Sequence, residues 1–327
     1  KLADILGGEF MEFDKANKIG LNPFSLIEDY DEEADMLEGL IAAMAAPNER
    51  LTDLQKAGVS RGLRQAFADH GRQTTIDHVI EHLLADPDQR LKDVGQQLYP
   101  FSSQGSFGGY FNAGNTISFT NDLTVLELEH LRNRRHLQKV VLLQLIYQIQ
   151  QAMYLGDRGR PKLVIIDEAW DLLTDGDVGK FIEHGYRRFR KYNGAAVTIT
   201  QSLGDLYGSQ VGQAVVDNSA NMFLLGQKPE TINSLASSGR LPLSSFGVAQ
   251  LRTVHTQTGR FSEIYCHTSH GSGVGRLVVS PFIQLLYSTL PADTAAIQRH
   301  RDRGLDIADA INAVLEERRG LQREAAA

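Results

Sequence analysis

The sequence predicts an α/β fold: a mainly parallel sheet flanked by helices and interrupted by an all-helical insert. Three observations predict it. From about residue 116 onward, short and nearly continuous apolar runs alternate with amphipathic segments, as strands buried on both faces do. Between residues 25 and 115 strand signal is almost absent, and apolar residues recur at helical spacing, as at Leu51 and Leu54, then Leu63 and Phe67. One apolar run, Leu163 to Ile166, leads directly into two adjacent carboxylates, Asp167 and Glu168.

Taken in order, Lys1 to Leu6 reads as helix ending at Gly7-Gly8, and the chain is expected to continue a longer protein from there. Gly8 to Phe13 reads as a strand. Helices are expected over 31–45, 51–69, 74–85 and 88–98, with Thr74 and Asp77 as a capping box. Residues 101–115 form a Gly/Ser/aromatic stretch, read as a return linker because no lysine or helix follows. Then come a strand at Leu123–Leu128, a long helix at Arg132–Leu155, and the strand ending at Asp167. A helix over 178–192 is stopped by Asn193-Gly194, ahead of strands at 195–200 and 221–225. A hairpin about Gly259 joins 251–258 to 261–268, a further strand covers 276–280, and Leu305 to Arg319 is a terminal helix. The expected division is a core over 1–24 and 116–290, an insert over 25–115 and a helical tail over 291–327.

Composition bounds the partners. The chain has 327 residues, 42% hydrophobic and 22% charged, with a formal net charge of −7. That balance argues against a strongly basic nucleic-acid binder, although a local basic patch stays open. The single cysteine, Cys266, excludes an intramolecular disulfide and fits a reducing compartment. No apolar run reaches the roughly 18 residues that span a bilayer; the greasy helix near Val140–Leu155 is broken by Gln144, Gln148, Gln150 and Gln151.

The stretch 162–173, Lys-Leu-Val-Ile-Ile-Asp-Glu-Ala-Trp-Asp-Leu-Leu, has the Walker B arrangement of a P-loop nucleoside triphosphatase. A buried strand delivers its carboxylates to the C-terminal sheet edge, where nucleotides bind in α/β folds. Asp167 then holds Mg²⁺, and Glu168 orients and deprotonates the attacking water. A solvated strand end or helix N-cap is the plainer alternative. Gln201, at the tip of the following strand, is placed to sense the terminal phosphate or the water. No G-x-x-x-x-G-K-[ST] occurs anywhere in the chain, so the phosphate-binding half of such a site is missing. Arg187, Arg188, Arg190 and Lys191 end helix 178–192. They complement the helix dipole or supply an arginine finger to a neighbouring subunit, and sequence alone leaves both open. Gly271-Ser-Gly-Val-Gly-Arg276 leads into a strand and reads as a turn. Cys266, His267 and His270 are too few, and alternate across a strand, for a zinc site.

Val-Ile-Ile-Asp-Glu-Ala-Trp-Asp-Leu-Leu, Phe-Ile-Glu-His-Gly-Tyr-Arg-Arg-Phe-Arg-Lys-Tyr-Asn-Gly and Val-Thr-Ile-Thr-Gln-Ser resemble the TraC-type ATPases of conjugative type IV secretion systems. Lys1–Asp14 and Leu21–Phe24 are similar to the part of that family just after the Walker A helix and the next strand. Asn218-Ser219 and Arg276–Pro281 fit as well. The resemblance implies a RecA-like motor core using ATP and Mg²⁺, and hexameric self-assembly. It also implies inner-membrane secretion-complex and pilus-assembly partners, at the cytoplasmic face of the inner membrane of a Gram-negative bacterium. By motif match it gives Asp167 the metal, Glu168 the base, Gln201 the sensor and Arg190 the finger. Two rival readings remain: a non-catalytic assembly fragment, and a DNA-pumping ATPase of the coupling-protein or FtsK kind.

Overall fold

Residues 1–13, 19–168, 188–241 and 243–326 are described by a computed structural model. Residues 178–187 of the helix expected over 178–192, with Arg187, and Trp170 lie outside the described residues. Contacts divide the chain into two units, Phe10–Arg160, and Lys1–Glu9 together with Pro161–Ala327.

The chain begins with α1 (Leu2–Ile5) and β1 (Glu9–Glu12), and β1 pairs with β2 (Thr124–Glu127). Between these strands lie α2 (Tyr30–Ala45), α3 (Asp53–His70), α4 (Ile76–Ala85), α5 (Gln89–Gln97) and α6 (Gly108–Phe111). Local sequence starts each long helix. The Asp29 carboxylate accepts from Asp31 N at 2.9 Å, and Asp31, Glu32 and Glu33 put negative charge at the positive end of α2. Thr52 and Gln55 form a reciprocal capping box on α3, with Thr52 N donating to Gln55 Oε1 at 2.9 Å.

The cap of α4 differs from expectation. Thr75 and His78 cap it, whereas Thr74 is fully buried with its hydroxyl donating to Gly71 O at 2.7 Å and is thus already committed. The apolar stripes of these helices meet in one core with Leu37, Ile41, Leu63, Val79, Val94 and Val141, the last from α7 (Arg135–Leu155). The stretch 101–115 holds more structure than a linker. Phe101 is fully buried, its ring 5.3 Å from Phe107 and 5.4 Å from Phe111. Two of the glutamines that break the greasy face of α7, Gln144 and Gln148, are buried, and Gln148 Nε2 donates to Asn115 Oδ1 at 2.8 Å.

Residues Gly20 and Thr116 exchange bonds, Gly20 N to Thr116 Oγ1 and Thr116 N to Gly20 O, each at 3.0 Å. A Cβ on Gly20 would run into the carbonyl oxygen of Gly114. Gly20→Ala therefore forces backbone to move and is expected to cost about 1–3 kcal/mol, read as a lower midpoint in thermal unfolding. An unchanged midpoint would mean that this approach is not tight.

In the second unit β3 (Lys162–Ile166) pairs in parallel with β4 (Gly194–Thr198). Four helices follow within 203–251: α8 (Leu203–Tyr207), α9 (Gln210–Asn218), α10 (Pro229–Ser237) and α11 (Ser245–Leu251). The remaining strands, β5 (Asn221–Leu224), β6 (Thr256–Gln257), β7 (Phe261–Thr268) and β8 (Gly271–Leu277), form an antiparallel sheet in which β7 pairs with all three others.

Three expectations change. Parallel pairing is confined, among the described strands with stated register, to β3–β4, so the sheets are smaller and less parallel than the alternation implied. The expected strand 251–258 shrinks to β6, because Leu251 is a buried residue of α11. Gly271–Arg276 is itself strand, with Gly271, Gly273 and Gly275 alternating with Ser272, Val274 and Arg276; extended backbone paired to β7 suits glycines that no Cβ contact restrains.

The chain closes with α12 (Pro281–Tyr287), α13 (Pro291–Arg301) and α14 (Ile307–Ala326), packed around Leu285, Ile297 and Ile311. Among the described residues no helix is long and apolar enough to cross a membrane.

Glu263 ties the antiparallel sheet together. It is 7% exposed, accepts from Arg276 Nε at 3.0 Å and lies 2.9 Å from His255 Nδ1, while the Arg276 guanidinium sits 4.4 Å from the Phe261 ring centre. The hydrogen bond from Arg276 is the main reason its carboxyl stays below the usual glutamate range. A depressed folded value adds stability that is complete above the unfolded glutamate value of about 4.3 and is lost as pH falls through the lower folded value. Glu263→Gln should therefore be less stable than wild type at neutral pH, with the gap closing below about pH 4. Denaturant titrations at several pH values give the check; a gap that does not change with pH would mean that Glu263 acts by shape alone.

Candidate functional site at the end of the parallel strands

The apolar runs of β3 and β4 pair in register, Leu163 with Ala195, Ile165 with Val197 and Ile166 with Thr198. Ile199 N donates to Ile166 O at 2.9 Å and carries the pairing one residue further. Asp167 and Glu168 thus leave β3 at the same C-terminal edge at which Gln201 leaves β4. All three side chains are exposed.

The turn at this edge is unusual. Glu168 has φ of 50°, in the left-handed region that an L residue with a long side chain enters only at a cost of roughly 1–2 kcal/mol. Asp167 Oδ1 accepts from Glu168 N at 2.8 Å within this turn. A strained backbone at an acidic pair that ends a strand is the kind of position that function often sets.

Past Gln201 the chain enters α8, whose start is fixed by a capping box. Ser202 N donates to Asp205 Oδ2 at 3.0 Å and Gly204 N to Ser202 Oγ at 3.1 Å. Leu203 N donates to Gln227 Oε1 at 3.3 Å, so the loop after β5 reaches the loop after β4. Neither Ser202 nor Gln227 stood out in the sequence. The Ser-x-x-Asp spacing was a readable signal for the first; for Gln227, 24 residues away, there was none.

Arg190 lies at the other end. It belongs to a 3-10 turn, Phe189–Tyr192, that ends at Asn193 in the left-handed conformation, just before β4. With Lys162, Leu163 and Gly194 it lines an open hollow of about 390 Å³ at the N-terminal edge of the two strands. A strand rises about 3.3 Å per residue, so roughly 15–20 Å separates this end from the carboxylates. The strand pair brings Asp167, Glu168 and Gln201 together and keeps Arg190 away from them. Arg188 is exposed beside Arg190.

One face of β3–β4 is apolar and open: Leu163 and Ile165 are each 58% exposed, with Val197 and Ile199 beside them. Strands of an α/β sheet are normally covered on both faces; among the described residues this face is not.

A parallel strand pair carries two carboxylates and an amide to one edge within a mixed α/β fold. The profile of the TraG P-loop domain family matches residues 1–318, and the chain belongs to that family. It is 30% identical over 331 residues to protein TraC of Escherichia coli K12, a match covering 95% of this chain and 37% of TraC, so the chain spans little more than a third of that relative. Its fold is similar to that of VirB4 of Thermoanaerobacter pseudethanolicus, with a TM-score of 0.63 at 18% identity over 90% of this chain and 79% of the other. It is also similar to the plasmid coupling protein TrwB in complex with ADP and Mg²⁺, with a TM-score of 0.50 at 13% identity over 83% of this chain and 74% of the other.

Proposed function

We propose that the chain is the Walker B and sensor portion of a motor ATPase of a conjugative type IV secretion system, coupling ATP hydrolysis to pilus assembly and substrate transfer. One observation carries this above the others: the parallel register sets Asp167, Glu168 and Gln201 at one strand edge. Kinship with TraC supports it. The donor set suits the ligand. A hard carboxylate oxygen at Asp167 fits Mg²⁺, and TrwB binds ADP with Mg²⁺ on a similar fold. The phosphate cradle is not among the 327 residues, and we assign it to a G-x-x-x-x-G-K-[ST] roughly 30–50 residues before Lys1 in a longer polypeptide.

When bound, Mg²⁺·ATP supplies the phosphoanhydride and a cation that offsets developing charge. Asp167 holds that cation by a carboxylate oxygen. Glu168 orients a water and takes its proton on the other carboxylate. Gln201 hydrogen-bonds the water or the terminal phosphate and reports cleavage to β4 and α8. Arg190, at the far edge of the same strands, serves the site of a neighbouring subunit in a hexamer at the inner membrane. The apolar face of Leu163, Ile165, Val197 and Ile199 is covered in the longer protein.

The second reading, a nucleotide-free assembly fragment, is favoured only by the missing cradle. In the full-length protein Glu168→Gln should bind ATP nearly as wild type does and lose turnover, because the shape is kept and the base removed. Hydrolysis at close to the wild-type rate would take Glu168 out of the mechanism, and a wild type that neither binds nor hydrolyses ATP would favour the assembly fragment.

A finger acting across subunits makes a distinct forecast. Arg190→Ala should still bind ATP and lose about 10³–10⁵ in rate. Mixing it with Glu168→Gln subunits should restore some activity, since some interfaces then join an intact Glu168 to an intact Arg190. Mixed rings that stay inactive at every ratio would assign Arg190 to its own subunit or to helix capping, and Arg188→Ala is the control.

A further inference from the structure

The first nine residues group with a different unit from the segment that follows them. Lys1–Glu9 belongs to the unit that carries β3 and β4, although more than 150 residues separate them in the chain. What holds them there is the C-terminal helices. The Lys1 ammonium donates to Leu285 O at 3.3 Å and to Ser288 O, the carbonyls at the end of α12. That is the negative end of the helix dipole, where a cation is favoured. One turn along α1, Asp4 Oδ2 lies 2.8 Å from Arg301 Nη1 in the last turn of α13. Between these charges Ala3 is buried and Ile5 packs against the core of α12–α14. That core is itself braced by an ion pair, Arg318 to Asp293 at 2.5 Å, and by a polar contact of His300 Nε2 with Glu317 Oε1 at 3.0 Å.

We propose that α1 is a clasp through which the C-terminal helices α12–α14 fix the chain that enters the site-bearing unit, so that Lys1, Asp4 and Arg301 are positioning residues for nucleotide binding. This rests on the reading that the phosphate cradle lies upstream of Lys1. The Asp4 and Arg301 side chains are 45% and 38% exposed, and ion pairs so exposed add little to stability. Their two charges instead fix the direction and register of α1, and with it the placement of whatever α1 continues. The C-terminal helices would then be part of the nucleotide machinery, and a partner that moved them would alter ATP affinity.

A charge-reversal cycle in the full-length protein separates placement from stability. Asp4→Arg and Arg301→Asp should each weaken Mg²⁺·ATP binding about 5-fold or more, the lower bound of ordinary coupling between sites, with thermal midpoints within a few degrees of wild type. The double reversal should return affinity to within about twofold of wild type, because it rebuilds the pair with opposite polarity. If either reversal unfolds the protein, the neutral variants Asp4→Asn and Arg301→Gln replace it in the cycle and should show a smaller loss of affinity in the same direction. Single variants that bind like wild type, or a double variant no better than the weaker single, overturn the clasp. A wild type without ATP binding would overturn the proposed function and the clasp with it.

Discussion

The candidate site depends on one register: β3 against β4 in parallel, Lys162 with Gly194 through Ile166 with Thr198. Side chains alternate faces along a strand, and a one-residue slip inverts every one of them. In parallel strands the two C-terminal ends also lie at one edge, as two hairpin strands cannot. That is why the carboxylates following β3 and the amide following β4 become neighbours with 32 residues of chain, 169–200, between Glu168 and Gln201. The backbone pairing of the two strands holds the register. The polar residues only ride on it, which is how a site can be exposed and still be fixed.

The site's parts were legible in the sequence in proportion to how local their cause is. The strand before Asp167 is a run of apolar residues stopped by charge, and both its extent and its polarity are local facts. The stop at Asn193-Gly194 was equally plain, since asparagine tolerates the left-handed conformation it adopts there. The place of Arg190 was not plain. Sequence spacing puts it before β4, but only pairing with β3 shows that this end is far from Asp167. The strain at Glu168 was invisible too, because nothing in Asp-Glu demands a positive φ.

Elsewhere the misses share one physical pattern. Helices α8, α9 and α11 are five to nine residues long, too short for hydrophobic periodicity to register, yet each begins at a serine whose side chain accepts from the backbone, Ser202, Ser209 and Ser244. Short helices are made by their caps and their packing, and the caps were there to be read. β8 failed for the opposite reason. Glycine punctuates loops far more often than strands, so Gly-Ser-Gly-Val-Gly carried a turn signal that pairing with β7 overrode. Thr74 and Thr75 show the same competition at one residue: either could cap α4, and burial of Thr74 decided it.

The open face of β3–β4 and the clasp on α1 bear on the same question, how the chain is completed. Leaving Leu163, Ile165, Val197 and Ile199 to water forgoes burial worth about 25 cal/mol for each Å² of apolar surface, which a stable motor core would not leave unused. On the function proposed above, the full-length protein supplies that cover. An element that arrives through α1 reaches the unit already oriented, because Lys1 and Asp4 dock on α12 and α13. The carboxylate edge, the bare apolar face and the clamped first helix are then three aspects of one requirement. On the function proposed above, the edge of β3 and β4 supplies the carboxylates and the amide, and the proposed clasp sets the direction from which the phosphate cradle reaches them.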